Sequence, residues 1–180
     1  MNTDQLLKLA EVVVNLTIPV AVLVVGAVIN KSIKKMEIDR AKIFKKKDMR
    51  KAIYDDISEK LNIIACYVAD VGDFGEFTPD QIIAYKRYTD RHFKSYQSLW
   101  SDKITNLYDE FIESCFKHFG GGLGTPAKIR AVADEKRAYF TNVGKEWEAD
   151  WNRRFTGDKD LQILKKYQEL TASFVNEFVD

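Results

Sequence analysis

The chain has 180 residues, 46% of them hydrophobic and 31% charged, with a formal net charge of +1. Once a membrane segment is set aside, that length leaves material for one ordinary domain. The near-neutral total conceals a polarity, because residues 52–180 carry −5, and an acidic domain argues against broad nonspecific nucleic-acid binding.

Residues 1–11, MNTDQLLKLAE, lack the basic region and small-residue cleavage site of a secretory signal, so the segment is expected to be retained. Residues 12–29, VVVNLTIPVAVLVVGAVI, carry no charge. Roughly 18 such residues suffice to cross hydrocarbon as a helix. The exceptions to apolarity are spaced: Asn15, Pro19, Val22 and Gly26 follow steps of four, three and four, which places them on one face. Lys8 and Glu11 continue that stripe on one side, Asn30 and Ile33 on the other. A polar seam facing acyl tails is costly, so it is expected to face another helix or a water-filled space. Pro19 cannot donate to the Asn15 carbonyl, which leaves that oxygen for a partner or water. With one span per chain, the facing helix comes from another subunit, which predicts a homo-oligomer, with or without a water-lined pore; the same residues also describe a span whose Asn15 bonds within its own helix and whose Gly26 is an ordinary glycine.

Between Lys31 and Lys51 stand ten cations against Glu37, Asp39 and Asp48, a net +7, whereas residues 1–30 carry −1. The positive-inside rule then places the N-terminus outside and the C-terminal part in the cytoplasm. The run is expected to meet anionic lipid head groups of the bilayer.

No Pro or Gly interrupts residues 27–71, so the span is predicted to continue as one helix, a basic stalk over 31–71. Ile53, Ile57, Leu61, Ile64 and Val68 give its far part an apolar face. Gly72–Phe77 break it, and residues 72–180 form a cytoplasmic helical domain. Thr78-Pro79-Asp80-Gln81 reads as a capping box with Pro at the first position. The helix that follows carries Tyr85, Tyr88, His92 and Tyr96 on one stripe and Arg87, Arg91 and Lys94 on another. A further helix starts at Ser101-Asp102 with Ile104, Leu107, Tyr108, Phe111, Cys115 and Phe119 inward, and Gly120, Gly121 and Gly122 end it. Thr125-Pro126 opens a longer helix with Ile129, Val132, Ala133, Phe140, Val143, Trp147 and Trp151 at core spacing, closed by Gly157. Asp158 caps the last helix, with Leu161, Leu164, Gln168, Phe174 and Phe178 inward. Nothing alternates with a period of two, so the fold class is all-α.

The chemistry is sparse. Cys66 and Cys115 lie on apolar helical faces and are read as reduced core residues. His92 and His118 have no partners at metal-ligand spacing, no catalytic constellation is visible, and neither metal, cofactor nor enzymatic activity is expected. The glycines 120–122 before Thr125 present backbone N–H groups that suit a phosphate, and Lys128 follows them, although the same cluster describes a helix end and a connection. Arg87, Arg91 and Lys94, interleaved with Tyr88, have the composition of a surface for a nucleotide or a single strand, and equally of a solvated face over an aromatic core. The candidate ligand set is therefore Arg87, Arg91, Lys94, Tyr88, Gly121, Gly122 and Lys128.

A span with Asn15, Pro19 and Gly26, a cationic run and a cation–aromatic stripe on a helical domain resemble the membrane effectors of bacterial anti-phage defence operons, most of all the channel-type effector of Hailong systems. The resemblance covers the whole chain. It implies an oligomeric ion channel whose nucleotidyltransferase partner, encoded in the same operon, makes single-stranded oligodeoxyadenylate that holds the channel closed. The alternative, from another class, is a membrane-anchored adaptor whose helical domain docks a cytoplasmic protein.

Overall fold

The computed structural model describes residues 3–117 and 127–179, and the side chains of these except residues 5–20 and 179. The described chain is predominantly helical and falls into two compact units, Met1–Lys46 and Lys47–Asp180. Its elements are α1 (Thr3–Ala69), α2 (Pro79–Ser95), α3 (Asp102–Cys115), the two-residue strands β1 (Phe116–Lys117) and β2 (Lys128–Ile129), α4 (Ala133–Asn142) and α5 (Ile163–Val179). Single 3-10 segments join some of them, at Phe74–Glu76, Gln97–Leu99 and Ala149–Arg154.

The first unit is the long leading part of α1. From Val22 to Ile29 its apolar side chains are exposed on every face, with Val22 at 64% and Leu23 at 73%. Gly26 has nothing within 4 Å of where a Cβ would stand. Among the described residues no helix is long and apolar enough to cross a membrane. The side chains of residues 12–20, half of the uncharged stretch, lie outside the described ones, as do those of Lys8, Glu11, Asn15 and Pro19. Val22, Gly26 and Asn30 of the expected seam are described, and all three are exposed.

In the second unit α1 supplies Ile57, Leu61, Ile64, Ala65, Tyr67 and Val68 to the core, on the face its spacing predicts. Asp70 ends the helix in the left-handed region at φ 59, where Asp is better tolerated than most residues. The Thr78 box forms as expected: Thr78 N–H donates to Gln81 Oε1 at 2.8 Å, and Gln81 N–H donates to Thr78 Oγ1 at 3.3 Å. On α2 the buried face is Ile82, Ile83, Lys86, Thr89 and Phe93, while Tyr85 and Tyr88 are half-buried. Ser101 caps α3 and also donates through its N–H and Oγ to Glu177 of α5. α3 packs along α5, and between them and α1 the rings of Tyr54, Phe93, Trp100, Tyr108 and Phe174 interlock, with Phe93 stacked on Tyr108 at 3.9 Å.

Three expected helices differ from the structure. The one begun at Ser101 ends at Cys115, with Phe116–Lys117 in β1, and Phe119 lies outside the described residues. The long helix over 125–157 is replaced by β2, a short α4 and the 3-10 segment Ala149–Arg154. Strand β2 pairs antiparallel with β1, Phe116 facing Ile129, and Ile129 also bridges to Phe155. Gly144 at φ 73 turns the chain after α4, so Val143 is exposed while Phe140, Trp147 and Trp151 meet edge to face and Phe155 stacks on Trp147. The core spacing of these aromatics is real, but a cluster closed by a turn satisfies it as well as a helix does. The proposed start at Thr125-Pro126 and the glycines 120–122 lie outside the described residues. The last helix begins at Ile163, not after Asp158, and its inward stripe is Ile163, Leu170, Phe174 and the half-buried Phe178. Leu161 is 94% exposed, Leu164 and Gln168 are exposed too. Asp158 is occupied by Arg130 and Thr156, and Asp160 Oδ1 accepts the Gln162 N–H at 2.9 Å instead.

Lys136 on α4 is 1% exposed. Its ammonium donates to the Tyr67 carbonyl and the Asp70 carboxylate at the end of α1, with the rings of Tyr67 and Phe74 each 4.4 Å away. Lys159 reaches the other Asp70 oxygen and Glu135. Gly75 admits this arrangement, since a Cβ there would stand 1.9 Å from the Tyr139 ring, which packs tilted against Phe74. Breaking a buried pair by removing one charge costs about 3–5 kcal/mol. Asp70→Asn, which keeps the left-handed conformation, is therefore expected to lower the thermal midpoint sharply, and Lys136→Met to lower it less, as read by circular dichroism.

Candidate nucleic-acid interface and neighbouring sites

Helix propensity and the Thr78 box fix α2 so that Arg87, Arg91 and Lys94, at steps of four and three, share its outer side. Arg87 and Arg91 are exposed and make no ion pair among the described residues. Lys94 is exposed as well, and its ammonium meets both oxygens of Asp109 on α3 at 2.6 and 2.8 Å. An exposed pair of that kind contributes little and yields to a competing anion.

Tyr88 is engaged from several sides. Its hydroxyl donates to Asp56 of α1 at 2.7 Å, its ring stacks on His92 at 4.1 Å, and the Lys60 ammonium stands 4.4 Å from its centroid. His92 Nδ1 lies 2.9 Å from Asp56 Oδ2. The hydrogen bond to Asp56 holds the phenol above its ordinary pKa. The surface presented to a ligand is thus two guanidinium groups beside a fixed ring, rather than a bare aromatic platform. Lys128 is carried by β2, half-buried and opposite Lys117 in the strand register. Gly121 and Gly122 lie outside the described residues, and so does His118.

Two features carry no sequence signal. Asp56 joins Tyr88 and His92 from a position 32 residues away, a distance over which no motif spacing applies. Beside them Met49, Ala52, Ile53, Asp56, His92 and Tyr96 line an open groove of 330 Å³. The second is a cleft of 620 Å³ whose walls include Glu110, Glu113, Arg130, Asp158, Asp160 and Lys166. Arg130 meets Asp158 at 2.5 Å and Lys166 meets Asp160 at 2.8 Å, while Lys159 is held by Asp70 and Glu135. Every cation of this cleft faces a carboxylate, which makes it a poor phosphate site despite its size. Among the described residues no group of three or more His, Cys, Asp or Glu is placed to hold a metal ion. Both cysteines are free thiols, and burial pushes Cys115 up to about 12, far from a reactive thiolate.

No family model, curated protein or solved structure matches this chain.

Two aspartates of the cleft are acidified: Asp158 chiefly by its hydrogen bond from Thr156, Asp160 by that from Lys166, each below the ordinary 3.8. A carboxylate whose pKa falls on folding stabilises the protein above its unfolded value and loses that contribution as pH drops through the folded one. Asp160→Asn is therefore expected to lower the thermal midpoint at pH 7, and the gap from the parent protein to close as the pH is taken below about 4.

Proposed function

We propose that the chain is a single-pass inner-membrane protein of anti-phage defence whose copies assemble around an ion-conducting pore, gated by a ligand on the cytoplasmic helical domain. The observation that carries this is the exposed apolar surface of α1 from Val22 to Ile29, part of an uncharged stretch of 18 residues and followed by the net +7 run. Apolar side chains on every face of a helix have no use in water, and hydrocarbon is the medium that covers all of them together. The order of charge supports the inward direction of the helical domain.

For the ligand, exposed Arg87 and Arg91 beside Tyr88 support a phosphate-bearing chain, a single-stranded DNA oligomer or a nucleotide of the kind a nucleotidyltransferase partner would make. Such a ligand gates by its different affinity for two arrangements of the subunits and by nothing else. The adaptor reading draws on one observation, the groove between Met49 and Tyr96, which suits an apolar side chain of a docked protein. Replacement of residues 12–29 by polyleucine separates the two readings, since a tether survives it and a pore does not.

Purified protein in liposomes is expected to pass ions, and Asn15→Leu to change that flux. A preparation inert with and without oligonucleotide would overturn the pore. Arg87→Glu with Arg91→Glu is expected to abolish binding of a fluorescent oligodeoxyadenylate, and unchanged binding would remove both residues from the site.

A further inference from the structure

A spacing of three and four runs along the first unit: Gly26, Ile29, Ile33, Met36, Arg40 and Ile43. It is the heptad pattern of a helix that pairs with its like, with Ile33 and Arg40 in the a positions and Ile29, Met36 and Ile43 in the d positions. Every one of these apolar side chains is exposed in the single chain, and Phe44 beside the stripe is 65% exposed.

The charges around the stripe are sorted. Lys31, Lys34, Lys35, Lys42 and Lys45 fall at the b, c and f positions, farthest from a partner helix. The acids between them, Glu37 and Asp39, fall at e and g, the positions that flank the seam. In a parallel pair the g residue preceding an a residue lines the hole that receives the neighbour's a side chain, so Asp39 of one copy stands beside Arg40 of the next. A lysine-rich segment with an acidic partner protein would have no reason to place its own acids there. Beyond Phe44 the pattern fails as a seam, because Lys46 and Lys47 bring like charges to it. Ile38 falls on the lysine face and takes no part.

We propose that residues 26–44 of α1 form a parallel coiled-coil seam with other copies of this chain, apolar at Ile29, Ile33, Met36 and Ile43, with register set by Arg40 against Asp39 of the neighbour. The parallel direction rests on the membrane reading above, which inserts every copy the same way. A charged a position costs stability and fixes register, the trade seen where one polar residue selects a coiled-coil alignment.

The test uses full-length protein in membranes, with single cysteines at Met36 and Ile43 on the seam and at Lys35 and Lys42 on the opposite face. All four positions are exposed in the chain, so folding is not at stake, and the parent protein is the control because Cys115 is buried and Cys66 half-buried. Disulfide formation needs Cα atoms within about 7 Å. Under mild oxidation, Met36→Cys and Ile43→Cys are expected to link mostly into dimers, and Lys35→Cys and Lys42→Cys to stay monomeric. Asp39→Arg should sharply reduce linking at Met36→Cys, and adding Arg40→Asp should restore it. Equal linking from both faces, linking to a different protein, or none at the seam would overturn the proposal. Absent linking with intact ion flux removes the seam and leaves the pore; seam linking in impermeable liposomes keeps the seam and removes the pore.

Discussion

Lys136 holds the helical domain to the end of α1, and much of the fold can be reasoned from that one ammonium. A buried lysine is tolerated only where its donors are satisfied, and here the Tyr67 carbonyl, the Asp70 carboxylate and two ring faces do so together. Burial is the leading influence and lowers its pKa, with Asp70 opposing. Asp70 must leave the helix in a left-handed conformation to present its carboxylate, and that same turn is what ends α1. Gly75 has to be glycine for Tyr139 to come down beside Phe74. α4, the Phe74 turn and the loop carrying Lys159 are thus positioned by a charge that none of them could bury alone.

At the opposite side of the core, Arg50 acts as a second tie. Its guanidinium donates to the Leu99 carbonyl at 2.6 Å and pairs with Glu177 at 2.5 Å, beneath the Trp100 ring. Glu177 also receives Ser101, so the start of α3, the end of α5 and α1 meet at one carboxylate. Between these ties α2 is held to α3 through Asp90, which pairs with the buried Lys86 of its own helix and accepts the Tyr108 hydroxyl. The buried or half-buried Arg50, Lys86 and Lys136 are taken up by such pairs, whereas exposed Arg87 and Arg91 make no ion pair among the described residues.

What was legible in the sequence followed from local chemistry. The apolar spacing at Ile57, Leu61, Ile64 and Val68, the Thr78 box and the inward face of α3 each depend on residues within one or two turns, and each is found where that pattern places it. The failures share a cause of the opposite kind. Phe140, Trp147 and Trp151 hold helical spacing, yet Gly144 reverses the chain and the aromatics meet through a turn. On α5 the stripe is set by Tyr167 against Phe111 and Phe174 against Tyr54 and Trp100, partners far away in sequence, and Leu161 loses to Ile163 for that reason. Tyr88 and His92 were legible as one stripe of α2, but Asp56 beside them was not, because it comes from α1. Of the candidate ligand set, only the part carried by α2 could be read as one surface.

The exposed run of α1 is a thermodynamic statement as much as a structural one. Val22, Leu23, Val24, Val25, Val28 and Ile29 would each gain about 1.5–3 kcal/mol on leaving water. Six of them together represent on the order of 10 kcal/mol, comparable with the whole stability of a small domain. A helix with that surface bare in water would draw its neighbours into aggregation, so some medium must cover it. Lipid covers every face at once but does nothing for the stripe beyond Asn30, where lysines stand around Ile33, Met36 and Ile43 and forbid burial in hydrocarbon. Only a narrow contact that leaves the lysine face in solvent satisfies both halves of that segment. In the proposed assembly a helix of the same sequence, in the same direction, would be such a contact, and it would join the face carrying Val22 and Gly26 to the stripe that follows without a change of phase.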